Sequence, residues 1–196
     1  MDSMTDSLIS RWDARLQAGS LRALLSGASC QSPFGLTNDS LCDFRGVRIE
    51  ESLHKISISS VDFSDALMVA GQFAAEVSDC WFKACRLEGN LGNQFVNCDF
   101  TQANLSNSIL RGRFVNCVFS LANMTNVRGT GLFFERCVFE KTNLRKASFY
   151  DSRFVECRIV ECKFGSGSLA GSRFEKCMIE GADFSKTVMQ RVTGID

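Results

Sequence analysis

The sequence predicts an all-β solenoid, and three observations carry that prediction. Stepping by five residues from Phe114 meets Phe119, Met124, Gly129, Phe134, Phe139, Leu144, Phe149, Phe154, Ile159, Phe164, Leu169, Phe174, Ile179, Phe184 and Met189. Fifteen of these 16 positions are large and apolar, in a chain that is 45% apolar overall. Neither the helical period of about 3.6 nor the strand period of about 2 produces such a run. The slots two residues earlier hold small side chains, among them Cys117, Ala122, Thr142, Ala147, Ser152 and Ala182, with Leu132 and Val127 as exceptions. Finally, nine of the ten cysteines (Cys42, Cys80, Cys85, Cys98, Cys117, Cys137, Cys157, Cys162 and Cys177) fall in that small slot.

The unit is therefore small–polar–large–polar–polar. Good copies are Ala103-Asn104-Leu105-Ser106-Asn107, Thr142-Asn143-Leu144-Arg145-Lys146 and Ala182-Asp183-Phe184-Ser185-Lys186. From about Leu41 to Met189 this pattern resembles the pentapeptide-repeat family, whose unit reads roughly Ala-Asp/Asn-Leu/Phe-x-x. The resemblance implies a right-handed quadrilateral β-helix in which four units close one coil and the large and small residues point inward. If so, residues 20 apart should stack, and they share chemistry: Phe114, Phe134, Phe154 and Phe174 form one column, and Cys117, Cys137, Cys157 and Cys177 another. Coil starts at Phe44, Phe63, Phe82, Phe100, Phe119, Phe139, Ile159 and Ile179 give about eight coils, the last incomplete. Irregular stretches are expected at Ala74–Asp79 and Gly89–Gln94. At about 4.8 Å per stacked strand the rod would be roughly 40 Å long. One coil cannot bury its inner row alone, but stacked coils share a continuous core.

Residues 1–40 form a separate helical cap and connector, and residues 41–196 the β-helix. Leu8, Trp12 and Leu16, then Leu21, Leu24 and Leu25, fall at helical spacing, with Thr5 or Asp6 as N-cap and Gly27 as a stop. Ser29–Asp39, with Pro33, reads as a connector. A solenoid needs its end coils covered, so the helix is expected to cap the first coil. No amphipathic run follows Met189, so the last coil edge is expected to be open.

Composition narrows the functional classes. No apolar run approaches the roughly 18 residues needed to span a membrane. Met1–Asp6 carries two acids and no base, unlike a secretory signal, so a cytoplasmic location is expected. The cysteines lack the close Cys-x-x-Cys spacing of zinc sites and suit a small, buried slot, so reduced structural thiols are expected, with Cys30 outside the pattern. His54 is the single imidazole, and its neighbours Ser52, Lys55 and Asp62 show no triad motif. No glycine-rich phosphate loop is visible. The expectation is a non-enzyme with no cofactor and no metal.

Lys+Arg 22 against Asp+Glu 22 leaves no net charge, but the distribution is uneven. Residues 41–99 carry net −4 and residues 100–196 net +5, with an arginine column at Arg113, Arg153 and Arg173. The resemblance implies protein binding rather than turnover. Several family members guard a bacterial topoisomerase against quinolones or peptide poisons, as strongly acidic duplex-DNA mimics that pair through their C-terminal end. Duplex mimicry needs phosphate-like charge, which this chain lacks. The expected function is a rigid protein-binding module, an immunity or self-resistance protein that shields a target or neutralises a toxin. A topoisomerase-protecting DNA mimic is the alternative, and a structural scaffold a further one. The candidate partner-binding residues are Val96, Val115, Val118, Val138, Val155, Val160 and Met178, an apolar strip across two adjoining faces, bordered by Arg113, Arg153 and Arg173. The partner would be a protein (a toxin, a topoisomerase or an assembly), or a second copy through the strip or the open C-terminal coil. Neither direct nucleic-acid binding nor a membrane is expected.

Overall fold

The computed structural model describes residues 3–26, 32–69 and 72–195. It is a right-handed, four-sided β-solenoid of about 7 turns, preceded by two helices. Among the described residues strand pairing is parallel, each strand bonding to neighbouring coils, apart from one antiparallel bridge, Leu36 to Cys42.

Four columns of inward side chains define the faces. Face one runs from Phe44 through Phe63, Phe82, Phe100, Phe119, Phe139 and Ile159 to Ile179. Face two follows with Ile49, Met68, Leu87, Leu105, Met124, Leu144, Phe164 and Phe184. Face three stacks Leu53, Phe73, Leu91, Leu110, Gly129, Phe149, Leu169 and Met189. Face four stacks Ile58, Val77, Phe95, Phe114, Phe134, Phe154 and Phe174. Every coil start anticipated from the sequence heads a coil.

The phenylalanines form two ladders that meet at their edges. On face one, Phe82, Phe100, Phe119 and Phe139 stack with centroids 4.9–5.0 Å apart. On face four, Phe95, Phe114, Phe134, Phe154 and Phe174 stack at 4.6–5.2 Å. Between the ladders, Phe134 meets Phe139 edge-on at 81°. Both arrangements suit the ring quadrupole. They also fill the interior, each buried Phe contributing about 1.5–3 kcal/mol.

Corners carry the backbone cost. Many of the residues two places after an inward centre adopt positive φ, among them Leu121, Lys141 and Glu161. A non-glycine residue there costs about 1 kcal/mol. The offset is a hydrogen bond to the next coil: the Leu121, Lys141 and Glu161 N–H groups each donate 2.8 Å to the carbonyls of Glu140, Val160 and Glu180.

The small slot has a second use that the size pattern hides. Its thiols and hydroxyls donate to backbone carbonyls one coil back: Cys137 to Phe114 at 3.2 Å, Cys162 to Phe139 at 3.2 Å, Thr142 to Phe119 at 2.8 Å and Ser172 to Phe149 at 2.6 Å. At Phe119 the bond is a second one, since that carbonyl also accepts from the Ala122 N–H at 3.1 Å, and a carbonyl has two lone pairs to fill.

The irregular stretches are long strands. Leu53–Ser59, Gln72–Ser78 and Asn90–Val96 each run extended from face three into face four. Coils there mostly repeat at 18 or 19 residues, as in Phe73 aligned with Leu91 and Ile58 with Val77, with a register shift after Leu53, which aligns with Phe73. Later coils turn a distinct corner and repeat at 20, as in Phe134 aligned with Phe154.

The N-terminal region departs from the single helix expected. Helix α1 spans Ser3–Ser10, so Thr5 and Asp6 lie within it rather than capping it. A break follows, and α2 spans Ala14–Leu25, with the Asp13 carboxylate accepting from the Leu16 N–H. The break places Arg11 and Trp12 on the first coil. Trp12 stacks on Phe44 at 5.6 Å, edge-on to Phe34 at 4.9 Å, and its Nε1–H donates to the Arg45 carbonyl. Arg11 and Arg45 both donate to the buried Asp43 carboxylate. Gly46 permits the close approach of α1: at φ +72°, an added Cβ would lie 2.6 Å from the Leu8 backbone. Gly27 and Cys30 fall outside the described residues.

Candidate protein-binding faces

The outward side chains sit beside each inward centre, so the parallel registry decides which of them touch. Val96 aligns with Val115 on face four. The same row continues with Glu135, Val155 and Glu175, so Val155 lies between two carboxylates. On face one, Val118 aligns with Val138, followed by Arg158 and then Met178. Val160, only 7% exposed, aligns with Glu140 and Glu180. The anticipated strip is thus two valine pairs, with charged residues interrupting it at Glu135, Arg158 and Glu175. Met178 is 48% exposed at the late end of face one.

The arginine row is tied to those carboxylates. Arg153 donates from Nε and Nη2 to both Glu175 oxygens at 2.7 Å, and Arg113 lies 3.5 Å from Glu135 with its guanidinium 4.4 Å from the Phe133 ring centre. The Arg153 hydrogen bonds hold the Glu175 carboxyl below the usual carboxylate range. Arg173 stacks next to Arg153, also exposed. These pairs are solvent-facing and screened by water, so they order the surface more than they stabilise the fold. Reading valines and arginines by type missed them, because the intervening glutamates lie one coil away.

Cys80, Cys85, Cys157 and Cys162 are poor nucleophiles. Burial pushes Cys80, Cys85 and Cys162 above the ordinary thiol value, and Cys157 is raised to about 12, chiefly by its contact with Cys137. Among the described residues eight cysteines are free thiols, Cys177 being half-buried at the end of the column. Cys42 differs from the reduced state expected of it. It is disulfide-bonded. Its stack neighbour is Val61 rather than another cysteine, and the connector crosses it at Leu36. The His54 side chain lies outside the described residues. Among those described, no three His, Cys, Asp or Glu residues are grouped to hold a metal ion, and no helix is long and apolar enough to cross a membrane.

The last described coil leaves its interior partly open. Cys177, Ile179, Ala182, Phe184 and Ile195 line a groove of roughly 360 Å³ there.

A coil of five-residue units with a filled interior and ordered outward rows defines a repeat protein. The family described as pentapeptide repeat region matches residues 131–193, and the five-residue registry extends that pattern back to the first coil. Over residues 131–193 the chain is similar to the pentapeptide-repeat family. Similar solved structures include HetL, a pentapeptide repeat protein involved in heterocyst differentiation regulation from the cyanobacterium Nostoc sp. strain PCC 7120. It is 14% identical, with 76% of this chain and 87% of that one covered at a TM-score of 0.39. QnrB1, a plasmid-mediated fluoroquinolone resistance protein, is 13% identical over 74% of this chain and 92% of its own, at 0.33. Rfr23 from the cyanobacterium Cyanothece 51142 is 15% identical over 87% and 97%, at 0.31. No curated protein sequence matches the chain significantly.

Proposed function

We propose that this chain is a non-enzymatic protein-binding module that acts as an immunity or self-resistance protein, shielding a target or neutralising a toxin. The observation that carries the reading is the combination of a core filled by two phenylalanine ladders with outward rows fixed in parallel registry. Such rows present side chains at about 4.8 Å intervals on a stiff support, which lowers the ordering cost of binding. The valine pairs Val96–Val115 and Val118–Val138 supply apolar contacts, and Arg113, Arg153 and Arg173 orient the partner. A second copy is another occupant of the valine pairs or of the open last coil.

The test is cross-linking capture of the tagged protein from its native cells, comparing wild type with Val115→Lys/Val138→Glu, which set each new charge beside an opposite one, Glu135 and Arg158. These side chains face outward, so the variant keeps its melting temperature and loses a stoichiometric partner. Retention of both fold and partner would move the site off these faces. A gyrase supercoiling assay with added quinolone separates the topoisomerase alternative. With balanced charge the protein is expected to give little or no protection, and potent protection would overturn the immunity reading.

A further inference from the structure

We infer that face three is the docking surface for an extended acidic segment of a protein partner, anchored by Arg111 and Arg128; this rests on the protein-binding reading and specifies the partner's chemistry. Two surface grooves meet at Arg111. One, of roughly 450 Å³, is lined by Ile109, Leu110, Arg111, Arg128, Gly129 and Thr130. The other, of roughly 210 Å³, adds Gln72, Asn90, Gly92 and Asn93. Glycines stand at 92 and 129 on this face, and a Cβ at Gly92 would lie 3.1 Å from the Arg111 Cβ.

Two exposed arginines on adjacent coils, beside grooves free of carboxylates, mark this face. Neither groove is lined by a carboxylate. On face four, Arg113, Arg136 and Arg153 each pair with a glutamate. Arg111 and Arg128 are exposed, and neither forms an ion pair among the described residues. They nevertheless stand close together. Arg128 aligns with Ile109, two residues before Arg111 in the neighbouring coil, so the two are diagonal neighbours about 7–8 Å apart. Two unpaired like charges at that distance attract a ligand with matching negative charges.

An extended peptide supplies that match, because side chains at i and i+2 are about 6.7 Å apart on one side of the chain. Glutamates or aspartates at alternate positions would each meet one guanidinium, with Thr130, Asn93 and Gln72 as neutral hydrogen-bonding neighbours. A single-stranded nucleic acid is the competing polyanion. It is bound through a long basic track and several aromatic stacking platforms, whereas the row on this face runs Arg111, Thr130, Tyr150, with a single aromatic.

The experiment is fluorescence anisotropy on the full chain with a labelled heptapeptide bearing glutamate at alternate positions. Its probes also include the glutamine analogue and an oligothymidylate of equal length. The glutamate peptide should bind and the glutamine analogue should not. Arg111→Ala or Arg128→Ala should each weaken binding about tenfold, the loss of one charge-assisted hydrogen bond. Arg111→Glu/Arg128→Glu should abolish it with the melting temperature unchanged. Absence of glutamate-peptide binding, retention of binding by the double charge reversal, or tighter binding of oligothymidylate would each overturn the inference. If the double variant keeps the cross-linked partner, the acidic-segment inference fails while the protein-binding module stands. If peptide binds but no partner cross-links, the module reading fails instead.

Discussion

Leu132 fills the space that Gly129 leaves. In the repeat, 129 is a large slot and 132 a small one, yet the residues are exchanged, and both are buried. A Cβ added at Gly129 would lie 2.4 Å from the Leu132 Cδ1. Two of the three exceptions to the five-residue pattern are thus one compensated substitution, with the volume supplied from the neighbouring corner.

The pair should behave non-additively. Leu132→Ala empties the space and should cost about 2–5 kcal/mol. Gly129→Leu overfills it and should cost about 1–3 kcal/mol. Together they restore the ordinary unit, so the double variant should be more stable than Leu132→Ala alone. Urea denaturation of the four-member cycle reads the coupling; additive losses would contradict the compensation.

The phenylalanine ladders predict a graded core. Phe134 stacks on Phe114 and Phe154 and meets Phe139 edge-on. Phe134→Ala should therefore cost about 3–5 kcal/mol. Phe174 stacks on one phenylalanine, Phe154, and lies next to the half-buried final coil, so Phe174→Ala should cost less. Equal losses in equilibrium unfolding would contradict the ladder account.

Asp43 makes the cap acid-sensitive. Burial alone would raise its carboxyl pKa, but hydrogen bonds from Arg45 and Arg11 override it and hold the group well below the usual carboxylate range. A group depressed on folding contributes stability fully above its unfolded value of 3.8, and that contribution is lost as pH falls below it. Asp43→Asn should cost about 3 kcal/mol at neutral pH. The gap between wild type and variant should narrow as pH is lowered to about 3, as read by denaturant titration at each pH; a constant gap would contradict the ion-pair account.

Thiol counting tests the cysteine column. Without reductant, unfolding should expose the eight free thiols, and reduction should add those of the Cys42 disulfide. In the native protein labelling should be slow, with half-buried Cys177 the first to react. Rapid native labelling of Cys117 or Cys137 would contradict a closed interior.

The coil was legible because each inward slot recurs every five residues, so even the 18- and 19-residue coils kept their starting phenylalanines. The helix break was not. Leu8, Trp12 and Leu16 keep helical spacing across it, while Arg11 and Trp12 turn towards Asp43 and Phe44, contacts of long sequence separation. Thiol and hydroxyl donors in the small slot carried a hydrogen-bonding signal that size alone concealed. On the surface, Val96, Val115 and Val155 were visible as types, but whether they touch depends on Glu135 one coil away. Arg111 and Arg128 were missed because only the coil registry shows them as diagonal neighbours beside grooves lined by no carboxylate.

Site-specific photocrosslinking in native cells tests most directly the claim that outward rows of this rod bind a protein. A benzophenone side chain would be placed in turn at Thr130 on face three, Val138 on face one, Val155 on face four and Thr125 on face two. The account predicts one discrete protein adduct from Thr130, Val138 or Val155 and none from Thr125. Adducts absent from all four positions, or equal at all four, would contradict it.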